Sequence, residues 1–372
     1  MDDSATSGPD AVFDPQTVAG RALAHDLRHA HRSIADANDA ASLQLAAATV
    51  RRLVHCAVGE AAPAPLTGLF STLNDQITRR AIELTCAGTP MQEARWCWIA
   101  LGSEGRQEQT LSSDQDNGII FAGSGGATAL RKQLLPLALR INEALDACGF
   151  PLCTGQIMAS NPQWCLDLHE WRERFATWIS EGDPQALLNA SIFFDLRPLY
   201  GAFDLAEVLA DWLEEIVPDN PRFLYQMTEN ALRRKAPLGV VRDFVVEKGG
   251  EFAGTLDLKL HAATLFVDAA RIYGLALGAR TSNTADRFRR AGEAQRLDQR
   301  DVDSWIQAFY FIQKLRLENQ QRCYERGLPM HNHVNPDELG PLTRRALLDT
   351  LRQARALQKR LALDYLDTCR GL

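Results

Sequence analysis

The sequence predicts an α+β fold, a small mixed sheet set between helical stretches. Three observations carry that expectation. Apolar residues recur at helical spacing through the first 87 residues and again through the long C-terminal part. Two short apolar runs, Trp96–Leu101 and Asn117–Ala122, read as buried strands. A polar stretch separates those runs, and an amphipathic helix follows them. The expected organisation is a disordered tip over 1–14, a helical region over 15–87, a sheet-bearing core over 88–200 and a helical domain over 201–372.

The elements follow in order. Val18, Leu23, Leu27 and Ile34, then Leu43, Leu45, Val50, Leu53 and Val54, mark helices in an alanine-rich, glycine-poor region. The run Ala61-Ala62-Pro63-Ala64-Pro65 interrupts them. A third helix is expected from Leu66 to about Cys86, with Leu69, Leu73, Ile77, Ile82 and Leu84 on one face. After the two strands, Gly123 to Gly126 reads as a turn and 127–148 as an amphipathic helix bearing Leu130, Leu134, Leu137, Leu139, Ile141 and Leu145. Pro151–Met158 fits a third short strand. Beyond Asn161-Pro162 the pattern is helical to the end, with one β-like interruption over Val240–Asp257 that turns at Gly249-Gly250. No internal repeat or low-complexity segment stands out.

Composition narrows the function classes. In 372 residues, 46% hydrophobic and 23% charged, there is ample material for a buried core. A net charge of -7 gives no general reason to expect a nucleic-acid partner. Eight cysteines without a C-x-x-C pair argue against a structural zinc site and a secreted disulfide framework, and read as reduced thiols in a cytoplasm. No apolar run approaches the roughly 18–20 residues of a membrane span. Met1 to Asp10 lacks the basic and apolar regions of a signal peptide. The expectation is a cytoplasmic protein with neither nucleic-acid nor membrane partners.

Chemistry concentrates in the polar stretch Gly102-Ser-Glu-Gly-Arg-Gln-Glu-Gln-Thr-Leu-Ser-Ser-Asp-Gln-Asp-Asn117, between the two strands. A glycine at a strand end lets the backbone approach a ligand, because no Cβ intervenes. A short helix opening after Ser103 presents free N–H groups and a positive dipole end to a triphosphate, and the Ser103 hydroxyl adds a donor. Asp114 and Asp116 stand two apart, so on an extended chain their carboxylates point to the same side. Two converging carboxylates are costly without a cation, and Mg²⁺ suits such a site, completing its shell with substrate phosphates and water. Arg106 offers a planar donor to the phosphates. Gly-Ser alone is a commonplace turn and Asp-x-Asp alone a commonplace surface loop. Their joint placement at two strand edges is what points to catalysis. The competing explanation is a polar loop in which Ser112 or Ser113 caps a helix and the aspartates are solvated.

In these residues the sequence resembles the nucleotidyltransferase superfamily, whose signature is Gly-Ser followed by Asp-x-Asp on the next strand. More narrowly it resembles the nucleotidyltransferase module related to the N-terminal domain of protein-PII uridylyltransferase, which many bacterial proteins carry behind cyclic-nucleotide-binding and CBS domains. The likeness continues through 153–164, 191–201, Thr255-Leu-Asp-Leu-Lys259 and 315–321, and spans roughly 65–368. It implies a small mixed sheet bearing the site and a helical domain behind it. It implies transfer of UMP or AMP from UTP or ATP to an acceptor, a signalling protein, with Mg²⁺ or alternatively Mn²⁺. Carried over by position, Gly102 and Ser103 hold the phosphates, while Asp114 and Asp116 bind metal and carry the catalysis. Members of the superfamily usually have a third carboxylate on a later strand. The candidate strand Cys153-Thr-Gly-Gln-Ile-Met158 has none, leaving Asp195 or Asp167 as stand-ins. No CBS, cyclic-nucleotide, HD or ACT segment is recognisable. The alternative is therefore a nucleotide-binding regulatory or scaffold protein without turnover.

Other residues read two ways. Lys259, with Asp257, either faces the nucleotide from the helical domain or forms a strand-end ion pair. His331 and His333 lack the further Cys or His of a metal site and read as a polar loop. Arg197 reads as an ion-pair partner of Asp195. Trp96, Trp98, Phe193, Phe194, Trp305, Phe309, Tyr310 and Phe311 read as packing residues, and the basic stretch 344–360 as a solvated helix face.

Overall fold

A computed structural model describes residues 12–88, 95–124, 126–182, 184–239 and 243–367. It is α+β, with three helices, a sheet and a helical domain in chain order. The first eleven residues of the expected tip, and Val240 to Arg242 of the β-like interruption, lie outside the described residues.

The N-terminal region is α1 (Val18–Asp36), α2 (Ala40–Ala57) and α3 (Pro63–Cys86). On α1 the buried stripe is Leu23, Leu27, Ala30 and Ile34, spaced four, three and four apart, whereas Val18 and Leu45 of the expected faces are exposed. Asp39 and Ser42 form a reciprocal capping box that starts α2. The proline run falls at the expected break between α2 and α3, and its prolines open α3. Pro63 sits in its first turn, where a missing N–H costs nothing.

The sheet comprises β1 (Arg95–Ala100), β2 (Asn117–Ala122), β3 (Cys165–Asp167) and β4 (Arg197–Gly201), in spatial order β3-β2-β1-β4. β1 pairs antiparallel with both β2 and β4, and β2 pairs parallel with β3. Alternation along β1 and β2 serves two cores. Trp96, Trp98, Ala100, Ile119 and Phe121 face the N-terminal helices and α5 (Ala127–Ala147). Cys97, Ile99 and Ile120 face the aromatic core that includes Trp171, Phe175 and Phe193. A sheet covered on both sides explains why its strands read as continuous apolar runs.

Pro151–Met158 is not a strand, which corrects the expectation. The strand parallel to β2 comes later, at Cys165–Asp167. The 151–158 segment is held by isolated bonds: Gln115 N donates to Pro151 O, and Asn117 N to Ile157 O. The Asn117 side chain accepts from Ala159 N at 2.8 Å. Scattered backbone bonds to the approach of β2 thus hold this segment where a ladder was expected.

Between and beyond the strands run the single turn α4 (Gly102–Gly105), α6 (Leu168–Glu181), α7 (Pro184–Phe193), α8 (Phe203–Ile216), α9 (Pro221–Arg233), α10 (Thr264–Ala276), α11 (Thr284–Gln295), α12 (Gln299–Glu325) and α13 (Pro341–Ala362). A two-stranded ribbon, β5 (Leu256–Asp257) with β6 (His333–Val334), and a π-helical turn over Lys259–Ala263 sit among the later helices. Trp96, Trp98, Phe193, Phe194, Trp305 and Phe309 are all buried, as packing residues should be. No described helix is long and apolar enough to cross a membrane.

Candidate active site

The polar stretch becomes a loop wrapped across the ends of β1 and β2. Leu101 N donates to Asp116 O at 2.9 Å, extending the β1–β2 pairing by one bond and setting Gly102 against Asp116. Gly102 has φ +52, and a Cβ there would lie 2.7 Å from Asp116 Oδ2. Only glycine satisfies both the left-handed backbone and the close approach. Ser103 follows on the one-turn α4, half-buried. Gly105 is constrained in the same way, since a Cβ there would meet Asp195 O at 1.9 Å.

The approach to β2 is extended, and its side chains alternate. Gln115 turns inward, and its Nε2 donates to Asn142 O at 3.0 Å and Phe150 O at 2.8 Å. Asp114 and Asp116 therefore share the opposite side. Oxygens of both lie within 4.8 Å of each other and of Cys153 Sγ. The Cys153 thiol donates to Asp116 Oδ1 at 3.4 Å. Burial first, and then the neighbouring Asp114, push the Asp116 carboxyl up to about 6, against the Cys153 hydrogen bond and the charge of Lys259. Such a pair costs free energy while it carries two negative charges, and a cation relieves that cost. Two carboxylates and a sulfur, half-buried and convergent, fit a divalent cation.

Lys259 stands at the start of the π-helical turn, near enough for its ammonium to bear on Asp116. It does not pair with Asp257. The Asp257 carboxylate accepts from Lys259 N at 2.8 Å and Leu260 N at 3.0 Å, capping that turn, and stands 3.8 Å from His333 Nε2. His333 in turn stacks on Phe252 with ring centroids 3.8 Å apart. The two histidines belong to a packed ribbon end, where the sequence suggested a polar loop.

Arg106 was expected on the phosphates, and in the structure its guanidinium is engaged by two carboxylates. Its Nε donates to Glu108 at 2.8 Å and its Nη1 to Asp195 at 2.6 Å, with the side chain largely buried. Asp195 also accepts from Arg271 at 2.7 Å and Arg287 at 2.5 Å and is wholly buried. Burial alone would raise its pKa. Three guanidiniums outweigh that and hold its carboxyl well below the usual carboxylate range. Asp195 is thus no stand-in for a third carboxylate, and neither is Asp167, which caps α6 in a box with Glu170. Arg197 does not pair with Asp195 either. It reaches α3 and binds Asp75 through two bonds of 2.8 Å.

Several residues that hold the loop escaped the sequence reading. Ser71, Asn74, Asp75 and Thr78 form a buried polar stripe on α3, at spacing three, one and three. Gln109 N donates to Ser71 Oγ, and Asn74 Nδ2 to Gln109 Oε1. A polar stripe on an otherwise apolar helix face was the available signal. From the other side, Gln320 Nε2 donates to Ser112 Oγ at 2.8 Å, and buried Arg316 reaches Thr110. Ser113 Oγ accepts from Thr110 N at 2.9 Å, closing a turn. Glu104, on α4, is buried. Burial pushes its carboxyl up to about 8, with Asp75 and Asp116 adding to the rise and Arg197 opposing it. Cys153 was missed because only carboxylates were sought on that segment.

Two family models match the chain. One, described as putative nucleotidyltransferase DUF294, covers residues 47–185, which include the whole 102–116 loop and Cys153. The other, described as putative nucleotidyltransferase substrate binding domain, covers 221–365, which include Lys259 and α10 through α13. A search of curated proteins found no match.

Proposed function

From the premise that the chain belongs to this putative nucleotidyltransferase family, we propose that it transfers a nucleoside monophosphate, UMP or AMP, from the NTP to a hydroxyl of a protein acceptor. The observation that carries the reading is the meeting of Gly102 with Asp116 at the paired ends of β1 and β2, with Asp114 on the same side. In this reading the acceptor hydroxyl gives up its proton to water and its oxygen bonds to the α-phosphorus as the bond to pyrophosphate breaks, and pyrophosphate leaves. Gly102 and Ser103 receive the triphosphate, the bare glycine backbone admitting phosphate oxygens and the Ser103 hydroxyl donating to one of them. Asp114 and Asp116, joined by Cys153, would hold a divalent cation, Mg²⁺ or Mn²⁺, which would neutralise charge on the α-phosphate and the departing pyrophosphate. Lys259 supplies a further positive charge from the C-terminal side. Arg106 serves at one remove, bracing the loop through Glu108 and Asp195.

A nucleotide-binding scaffold without turnover is the second reading. Cys153 favours it, because a thiol meets the two aspartates where the superfamily usually carries a carboxylate. One experiment separates the two. The protein, with Asp114→Asn and Asp116→Asn variants, is incubated with each labelled NTP, Mg²⁺ or Mn²⁺, and candidate acceptors, and pyrophosphate release is followed. Transfer lost in both variants supports the enzyme. NTP binding without any product supports the scaffold. Equal behaviour of wild type and variants removes the aspartates from both.

A further inference from the structure

Beside the segment that carries Lys259 lies an open cavity of about 1190 Å³, bounded by the end of α9, by α13 and by residues 245–261. Its walls carry Arg233, Arg234, Lys235, Lys248, Arg355 and Lys359 against a single acid, Glu247. That concentration of positive charge occurs in a chain whose net charge is -7. Its floor is apolar, with Leu232, Leu238, Val246 and Leu256, and Val245 at the rim is 51% exposed.

Part of the charge has a local explanation. The C-termini of α9 and α13 both end here, and cations commonly offset the partial negative charge of roughly half a unit at each helix end. Two helix ends account for about one unit of charge, far less than six cations. The guanidinium and ammonium groups of Arg233, Arg234, Lys235, Lys248 and Lys359 make no ion pair among the described residues. The backbone just after α9, which presents Arg234 and Lys235, is held by side chains of α13. Gln358 Nε2 donates to Arg234 O at 2.6 Å and its Oε1 accepts from Ala236 N at 3.2 Å, while Arg355 donates to Leu238 O at 2.8 Å. Unpaired cations gathered from two helix ends, the held loop after α9 and the 245–261 segment, over an apolar floor, favour an anionic partner that also brings apolar groups.

We infer that this cavity docks an acidic, leucine- or phenylalanine-bearing segment of the acceptor protein. The inference rests on the reading above that the acceptor is a protein. Its volume exceeds the roughly 300–1,000 Å³ of ordinary small-ligand pockets and suits several residues of extended chain. Its position suits an acceptor as well. His261 lines the cavity, and Lys259, two residues earlier, bears on Asp116. One short segment therefore separates the docking cavity from the aspartates.

The test uses the full chain and a short fluorescein-labelled peptide of glutamates interspersed with leucines, followed by anisotropy. The same peptide with glutamine for glutamate is the control. Binding is expected for the acidic peptide, weakening as salt is raised, and falling about tenfold or more in an Arg234→Glu, Lys359→Glu double variant. A Val245→Ser variant should weaken it without changing its salt dependence. Absence of binding, equal binding of the glutamine peptide, or unchanged binding by the double variant overturns the inference. So does binding of phosphatidylglycerol vesicles, or self-association of the chain, through these residues while the acidic peptide stays unbound. Melting with and without Mg-NTP runs in parallel. A nucleotide shift kept by the double variant shows that it is folded and that only the docking is at issue. Charge-sensitive peptide binding without any nucleotide shift in the wild type leaves the cavity standing and removes the nucleotide site.

Discussion

Glu104→Gln should make the protein more stable, and increasingly so as pH rises. In the folded chain the Glu104 carboxyl is raised from 4.5 to about 8, first by burial and then by Asp75 and Asp116. In the unfolded chain it titrates near its ordinary value. Below about pH 4.5 both states hold the proton, and the group contributes nothing to the balance. Above that, the unfolded state releases the proton and the folded state does not, so stability falls until the folded carboxyl titrates as well, near pH 8. At about 1.4 kcal/mol per pH unit the deficit is about 3 kcal/mol at pH 7 and about 4–5 kcal/mol once it saturates. Relaxation around the buried charge makes these upper values. Glutamine keeps the shape and never ionises, so it removes the deficit. Urea unfolding at intervals from pH 5 to 8.5 reads the effect. Wild type and variant should nearly coincide at the acid end and diverge steadily above it. A stability difference that stays flat across this range would show that Glu104 is ionised in the fold, sharing Arg197 with Asp75, and would refute the argument.

Asp195→Asn should cost about 3–5 kcal/mol, because Arg106, Arg271 and Arg287 would lose the buried carboxylate that compensates all three. A thermal melt checks this, and a loss under about 1 kcal/mol would mean that the arginines find other partners. Gly102→Ala should cost about 1–2 kcal/mol from its left-handed backbone alone and displace the Asp116 carboxylate that a Cβ would meet at 2.7 Å. Its melting shift with Mg-NTP should shrink even where the fold survives, and an unchanged shift would contradict the close approach. Cys153→Asp should strengthen Mg²⁺ binding measured by calorimetry, while Cys153→Ser should abolish the ultraviolet sulfur-to-metal band that Cd²⁺ gives with the wild type, because sulfur favours softer cations. If Cd²⁺ gives no such band with the wild type, Cys153 is not a ligand.

β1 and β2 were legible because both faces of the sheet are covered there, whereas β4 (Arg197–Gly201) lies in a stretch expected to be helical and was missed. Trp96 to Leu101 is apolar throughout, and no surface residue breaks the run. The loop was legible because close backbone approach demands glycine, and because a residue spacing of two aims both aspartates to one side. What stayed hidden is long-range. Nothing near Arg106 in sequence announces that its partner is Asp195, 89 residues away. Likewise Arg197 finds Asp75 across 122 residues, where the nearer Asp195 seemed the natural partner. The third strand was misplaced because 151–158 has strand-like composition while its backbone makes only scattered bonds, to Gln115 N and Asn117 N, in place of a ladder. Local pattern reports propensity, and these choices were made by tertiary hydrogen bonding.

The same long-range bonds bear on how the parts of the chain work together. Glu108 accepts from Thr284 N at 2.7 Å, Ser282 Oγ donates to Gly105 O at 2.6 Å, and Asn283 Nδ2 to Arg106 O at 3.1 Å. Arg271 and Arg287 close on Asp195 from α10 and α11. Remove those helices, and Asp195 and Glu108 would keep one guanidinium between them, with Arg106 O losing its donor. A buried carboxylate left in that state costs several kcal/mol. The 102–116 loop therefore owes its shape to the C-terminal helices as much as to the sheet from which it springs. Lys259 joins the aspartates from that same side. A displacement of α10 and α11 would reach Gly105 and Arg106 directly through these bonds, and Gly102 and Ser103 lie within the same turn. Events on the C-terminal helices thus have a short mechanical path to the residues proposed to hold the triphosphate, one made of hydrogen bonds whose loss each exposes a buried polar group.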